Sequence, residues 1–359
     1  MTRPVEARIN TQALRANATL ARELAPGARV MAVVKANAYG HGSVLTARAL
    51  RDNVDAFAVA SMEEAVELRD ADITAPILLL QGVFEPRELG VAAGLGLWLM
   101  VQNEAQVRWL LDANLPARVH CWLKVDTGMN RLGVTPAAVP GIIEQLAGSA
   151  NCHDDVVLCT HFAAADNPAD SRTAAQLTTF GAIRFEGPRS AANSAGVLAW
   201  PHSHLDWVRP GYMLYGLDPL VASHPAPAGL RPAMTLVSRI TAIRDVARGD
   251  AVGYGGTWVA RRPSRIATVT CGYGDGYPRQ ARNGTPVLVH GQRAALAGRV
   301  SMDTLTLDVT DIPGTALGDE VTLWGDGLPV TEVAPWAGTI GYELTTRMPA
   351  RVLRRATQD

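Results

Sequence analysis

The stretch RVMAVVKANAYGHG, residues 29–42, decides how the chain is read. Val30-Met31-Ala32-Val33-Val34 is apolar at every position, the pattern of a strand buried on both faces, and it delivers a lysine, Lys35. Beyond it the chain turns small and polar, through Ala36-Asn37-Ala38 to Tyr39-Gly40-His41-Gly42. A lysine at the end of such a strand either snorkels to water or has a chemical task.

Outward from this segment the same pattern recurs. AFAVAS (56–61), PILLLQG (76–82), LWLMVQN (97–103), VHCWLKVDTG (119–128), VVLCTHFA (156–163), SAANSAG (190–196) and HLDWVRPG (204–211) are further strand candidates. Amphipathic stretches lie between several of them, such as MEEAVELRDA (62–71) and EAQVRWLLDAN (104–114). Buried strands alternating with helices predict a parallel sheet with helices outside, and eight such units close a (β/α)8 barrel of the TIM type. Each candidate ends on a polar residue: Lys35, Ser61, Gln81, Gln102, Lys124 with Asp126, His161, Asn193 with Ser194, and Arg209. Active sites of such barrels sit at the carboxyl ends of the strands, so Lys35, Lys124, His161 and Arg209 are expected around one mouth.

The character changes near residue 220. VASHPAPAGLRP (221–232) has the composition of a linker. Short β-rich runs divided by glycine follow: TLVSRITAIRDV, RIATVTCGYGDGY, TPVLVHG, SMDTLTLDVTDI and DEVTLWGDG. They predict a mostly antiparallel β domain. The expected organisation is an α/β barrel over residues 1–225 and a β domain over 226–359. The last segment, TIGYELTTRMPARVLRRATQD (339–359), has no clear pattern.

The bulk properties narrow the function. The chain has 359 residues, enough for two domains, and 48% are hydrophobic, which excludes global disorder. Its 33 basic and 34 acidic residues give a formal charge of −1, which argues against a nucleic-acid or membrane-surface partner. Cys121, Cys152, Cys159 and Cys271 form no CxxC pair, as befits a reducing compartment. The N-terminus lacks the unbroken apolar stretch of a signal peptide, and no segment has the apolar length of a membrane span. A soluble cytoplasmic protein is expected.

Desolvation lowers the pKa of a lysine and makes it a nucleophile toward aldehydes, the property of a Schiff-base lysine. Barrels commonly bind phosphate after strands 7 and 8, here Asn193-Ser194 and Arg209-Pro210-Gly211-Tyr212. Ser194 offers a hydroxyl there, and Gly211 permits close approach of the backbone. Arg209 has two readings, as a phosphate partner or as a donor to the ring nitrogen of a pyridoxal cofactor.

An ordered set of motifs goes further. "VVKANAYGHG", "LKVDTGMNRLG" (123–133), "THFAAAD" (160–166), "NSAG" (193–196), "VRPGYMLYGLDP" (208–219), "VGYGGTW" (252–258), "CGYGDGYPR" (271–279) and "GRVSMD" (298–303) span nearly the whole chain. Together they resemble the alanine racemases, which use pyridoxal 5'-phosphate. The resemblance implies that Lys35 forms the internal aldimine and exchanges the α-proton on the D face, with Tyr254 as the opposite base on the L face. It implies phosphate binding by Tyr39, Ser194, Gly211 and Tyr212, with Asn193 next to them. Arg209 matches the arginine facing the pyridine nitrogen, and His161 the histidine linking that arginine to the catalytic tyrosine. Arg131 and the backbone of Met302 match the substrate-carboxylate site. Lys124 matches a lysine that is a carbamate in many members, and Tyr273 lines the entrance.

Racemisation needs a base on each face of the α-carbon, and a tyrosine with an ordinary pKa near 10 needs help to be one. An arginine–histidine pair would stabilise its phenolate. Arginine has no acceptor, so a pyridine nitrogen facing Arg209 stays unprotonated, which shortens carbanion lifetime and limits transamination. Tyr254 lies in the second domain, so it reaches either its own barrel or a partner's. The resemblance implies the second, a head-to-tail homodimer with shared sites, acting on a small amino acid to supply D-alanine for peptidoglycan. No metal is expected.

Three positions depart from the family. Aligned by Tyr342-Glu343, a C-terminal tyrosine that touches the phosphate in some members falls on Ala350, so that contact is absent or supplied elsewhere. Ser301 stands where a cysteine often precedes the Met-Asp pair, and Tyr212 where an aliphatic residue often follows Pro-Gly. The rival readings are a racemase for serine or a bulkier amino acid, a non-catalytic pyridoxal-phosphate-binding protein, and a decarboxylase. The second conflicts with the β domain, and the third with the absence of a GGGxG-type loop.

Overall fold

The computed structural model describes residues 3–221 and 229–358. The expected boundary at 225/226 and most of the linker 221–232 lie outside the described residues. The chain forms two compact units, and the division is not a single cut: Leu14–Ala38 and Ser43–Arg231 make one, while residues up to Ala13, Tyr39–Gly42 and the chain from Pro232 make the other.

The first strand, β1 (Glu6–Asn10), lies in the region assigned from sequence to the barrel, but it is part of the β unit. Ala7 and Ile9 are fully buried while Glu6, Arg8 and Asn10 are partly open, a half-buried alternation that suits a sheet with one wet face and not a parallel barrel. On its outer side Arg8 bonds Glu6 at 2.8 Å and Glu320 at 2.6 Å.

The next eight strands are those of the expected barrel: β2 (Arg29–Val33), β3 (Ala56–Val59), β4 (Ile77–Leu79), β5 (Leu97–Val101), β6 (Cys121–Lys124), β7 (Val157–Cys159), β8 (Arg189–Ser190) and β9 (Trp207–Val208). They pair in parallel and in chain order, and β9 returns to β2 to close the ring. The seventh and eighth candidates shrink to two residues each. In SAANSAG the asparagine ends the extended run, because its side chain caps the helix Ser194–Ala199. The amphipathic stretches become the helices Met62–Asp70 and Glu104–Asp112. Trp98, Trp122 and Trp207, near the starts of β5, β6 and β9, meet with centroids 5.5–6.3 Å apart. The Arg29 guanidinium lies 4.2 Å from the Trp207 ring. This cluster fills the base of the barrel, leaving the carboxyl ends of the strands for a site.

In the β unit, β10 (Met234–Val246), β11 (Ala251–Val252), β12 (Trp258–Val259), β13 (Ser264–Val269), β14 (Pro286–Val289), β15 (Gln292–Leu296), β16 (Leu305–Asp308), β17 (Glu320–Trp324) and β18 (Leu353–Thr357) follow. The main sheet runs β13-β16-β15-β14-β17-β10-β1-β18, and β13 also pairs with β10. Six strands thereby close on themselves, with β1 and β18 attached. Register shifts within β10 let one long strand serve β1, β17 and β13 in turn. All pairs in this sheet are antiparallel except β1–β18. The C-terminal segment that sequence left unread is a short helix, Gly341–Thr346, followed by β18.

Candidate active site

The barrel unit holds a cavity of about 230 Å³ lined by Lys35, Lys124, Arg131, His161 and Arg209 among others. These five come from the ends of β2, β6, β7 and β9 and from the loop after β6, so the fold brings them to one mouth. No acidic side chain is among the lining residues.

Lys35 follows β2 at the start of an unusual backbone. Ala36, Asn37, Ala38 and Tyr39 all have φ near 52°, a run of left-handed helix that costs roughly 1–2 kcal/mol per residue. Local bonds hold the turn. The Asn37 side chain accepts from the Ser43 N–H at 2.8 Å. The Glu64 carboxylate accepts from the N–H groups of Ala36 and Ala60, each at 2.7 Å. The Tyr215 hydroxyl donates to the Val33 carbonyl at 2.9 Å. Burial pulls the Lys35 amine below its ordinary value, the positive Arg131 adds to this, and Glu64 opposes it.

Lys124 ends β6 and is likewise pulled down by burial, with Arg209, Arg131 and Lys35 contributing and Cys159 opposing. Asp126, two residues on, accepts from the N–H groups of Gly128, Met129 and Asn130 at 2.9–3.1 Å. That shapes the loop carrying Arg131, which returns through Gly133 at φ 128°.

Arg209 is buried, and its terminal nitrogens are held by the barrel. They reach the Ser190 hydroxyl, the Thr160 carbonyl at 2.6 Å and the Ala191 carbonyl at 3.3 Å. Burial, then the charges of Arg209, Lys124, Arg131 and Lys35, hold His161 well below the usual imidazole range. The ring is therefore neutral at pH 7.

Ser194 and Gly211 are brought together: the buried serine hydroxyl accepts from the N–H of Gly211 at 2.9 Å and of Met213 at 3.2 Å. Asn193 caps the helix beside them through the Gly196 N–H. Tyr212 is buried, which raises its phenol pKa.

The remaining sequence-derived residues belong to the β unit. Tyr254 starts a short turn between Gly253, at φ 75°, and Gly255, at φ 72°, and is 71% exposed. Tyr273 and Met302 lie on loops stitched together, with Tyr273 N–H to the Ser301 carbonyl at 3.0 Å and Gly274 N–H to the Met302 carbonyl at 2.9 Å. Asp275, almost fully buried, anchors the first loop by accepting from Gly272, Arg3 and Arg351 at 2.7–2.9 Å. Burial pushes the phenol of Tyr39 up to about 12. Its ring centroid is 6.1 Å from that of Tyr342.

Sequence reasoning missed Glu64, Asp275 and Tyr342. Glu64 looks like any acid in the first turn of a helix. Tyr342 had a signal, since it heads the C-terminal motif, whereas Ala350, the position matching the family's tyrosine, is exposed.

A closed (β/α)8 barrel with basic groups crowding its mouth, joined to a β domain, has the architecture of a two-domain barrel enzyme with a mouth suited to an anion. Comparison with known proteins makes this specific. Residues 9–219 match the family model for the alanine racemase N-terminal domain, and residues 233–356 that for the C-terminal domain. The alanine racemase of Chromohalobacter salexigens is 50% identical over 357 residues, 99% of this chain and 98% of its own. The crystal structure of biosynthetic alanine racemase from Pseudomonas aeruginosa superimposes with a TM-score of 0.94 at 48% identity, covering 99% of this chain and 100% of that one. The Bartonella henselae alanine racemase structure, which has covalently bound pyridoxal phosphate, gives 0.89 at 29% identity, covering 99% of each chain. The chain belongs to the alanine racemase family and is a racemase, an isomerase. Among the described residues no helix is long and apolar enough to cross a membrane.

Proposed function

We propose that the protein interconverts L- and D-alanine with pyridoxal 5'-phosphate and thereby supplies D-alanine for peptidoglycan in the cytoplasm. The observation that carries this reading is the Lys35 amine, lowered by burial, in a cavity lined by basic groups without an acid. Such a donor set suits a phosphorylated aldehyde and an amino-acid carboxylate, and the relative from Bartonella henselae binds that cofactor covalently. When bound, the cofactor supplies an electron sink that acidifies the α-hydrogen.

The residues divide the work. Lys35 holds the cofactor, and its amine exchanges the α-proton on the D face. Ser194, Gly211 and Tyr212, with Asn193 beside them and Tyr39, hold the phosphate. Tyr342, next to Tyr39, offers a second phenol for this task. Arg209 would face the pyridine nitrogen of the bound cofactor. Three of its five N–H donors go to Ser190, Thr160 and Ala191, which fixes the orientation of its positive charge. Arg131 and the Met302 backbone receive the substrate carboxylate. Lys124, whose lowered amine is reactive toward carbon dioxide, carries a carbamate that orients Arg131. Tyr254 is the L-face base, helped by His161, and Tyr273 lines the entrance.

The two bases come from different copies of the chain in a head-to-tail homodimer. A C2 arrangement then builds two shared sites. The test has two arms. The purified protein should show a borohydride-reducible cofactor absorption and should exchange the α-hydrogen of both alanine enantiomers in heavy water, faster than that of serine or lysine. Bound cofactor without exchange would mean a binding protein, and release of carbon dioxide a decarboxylase. In the second arm, Lys35→Ala and Tyr254→Phe chains, each inactive alone, are mixed and re-associated. Shared sites predict regained activity, and no recovery despite verified mixing refutes sharing.

A further inference from the structure

His120, His153 and Asp155 form a cluster that the racemase reaction does not use. Each offers a ligand atom, and the three atoms lie within 4.8 Å of one another. We propose that this cluster is a binding site for a borderline divalent transition-metal ion, with Zn²⁺ as the probe.

The site is made by the fold. Val119 and Cys152 form a parallel bridge at the amino-terminal side of the barrel, and His120 and His153 are the next residue on each side of it. The His153 N–H donates to the Val119 carbonyl at 3.0 Å, which fixes the register. The two imidazoles stack with centroids 3.9 Å apart and planes within 11°. Trp98 supports His120 from another direction at 5.4 Å. Asp155 completes the set, 3.0 Å from Nδ1 of His120. Its neighbour Asp154 faces Arg118 instead, at 3.9 Å.

Two imidazole nitrogens and one carboxylate oxygen are a donor set that zinc takes with water in the fourth position. Ligand nitrogens about 2.05 Å from a tetrahedral ion stand about 3.3 Å apart. In the stack the in-plane lone pairs of the two imidazoles run side by side, so the His153 ring must turn out of the stack about its side-chain torsions before both nitrogens address one ion, a movement its half-buried position allows. All three ligands are half-buried or exposed, so an ion can enter from solvent.

The site is separate from the cavity. His120 immediately precedes β6, and Lys124 ends it, so four strand steps of about 3.3 Å place the two roughly 13 Å apart. The thiols of Cys121 and Cys152, 3.7 Å apart, are the nearest competing zinc ligands, but they are buried.

The experiment is calorimetric titration of the chelator-treated holoenzyme with ZnCl₂. The expected result is one equivalent bound per chain, with affinity at least roughly tenfold weaker in His120→Gln, His153→Gln and Asp155→Asn. Cys121→Ser/Cys152→Ser should bind as the parent does. Far-UV circular dichroism checks that each variant is folded. No saturable uptake by the parent overturns the proposal. So does unchanged affinity in the three ligand variants, or loss of binding only in the cysteine variant.

Discussion

The Glu64 carboxylate accepts the backbone N–H of Ala36 at 2.7 Å and, through its other oxygen, that of Ala60 at the same distance. One side chain thus ties the residue after Lys35 to the end of the neighbouring barrel strand. It also opposes the lowering of the lysine amine. Glu64→Ala leaves two backbone donors without their acceptor and releases a left-handed turn. Charge-assisted hydrogen bonds are worth about 1.5–3 kcal/mol each, so denaturant titration should show a loss of roughly 3 kcal/mol. Racemase turnover should fall with it. Glu64→Gln keeps one acceptor and should lie between the two. If Glu64→Ala matches the parent in both measurements, the carboxylate does not hold the turn.

A second expectation concerns pH. His161 is held well below its ordinary value of 6.5 by burial and by surrounding positive charge. Between 6.5 and that lowered value the unfolded chain binds a proton that the folded chain refuses. Stability is therefore complete above pH 6.5 and declines as the pH falls below it, by at most about 1.4 kcal/mol per unit for this group. Unfolding measured from pH 7 to pH 5 should show a shallower decline for His161→Asn than for the parent.

Gly133 has φ 128°, and a Cβ there would lie 2.6 Å from the Asp126 nitrogen and 2.8 Å from the Val125 carbonyl carbon. Both are backbone atoms and cannot move aside cheaply. Gly133→Ala should cost about 2 kcal/mol or more by thermal denaturation. It should also displace the loop that carries Arg131. If Arg131 receives the substrate carboxylate, KM for alanine rises more than kcat falls.

Arg209→Lys tests whether charge alone suffices. Lysine keeps the positive charge but lacks the planar fork that reaches Ser190, Thr160 and Ala191 together. At least one of these buried acceptors loses its donor, at about 1–3 kcal/mol. The expected outcome is lower thermal stability, a shifted cofactor absorption and a kcat at least roughly tenfold lower. An unchanged absorption would remove Arg209 from the pyridine ring.

The barrel strands were legible because a strand buried on both faces leaves an unbroken apolar run, and RVMAVV, AFAVA and PILLL can be little else. Their polar ends also named Lys35, Lys124, His161 and Arg209, since direction along a parallel strand fixes which end faces the mouth. The β unit was legible from glycine-divided runs.

The place of β1 was not. VEARIN alternates like any half-buried strand, and only pairing with β10 and β18 makes it part of the far sheet. Nor could sequence give the left-handed run at Ala36–Tyr39, because alanine and tyrosine ordinarily avoid positive φ and the turn is held by bonds to residues further along the chain, Ser43 and Glu64 among them. Local pattern fixes which residues are buried and which way a strand points. Long-range pairing alone decides that a helix-start glutamate clamps a lysine turn, that an aspartate shapes an arginine loop, and that two histidines 33 residues apart stack face to face.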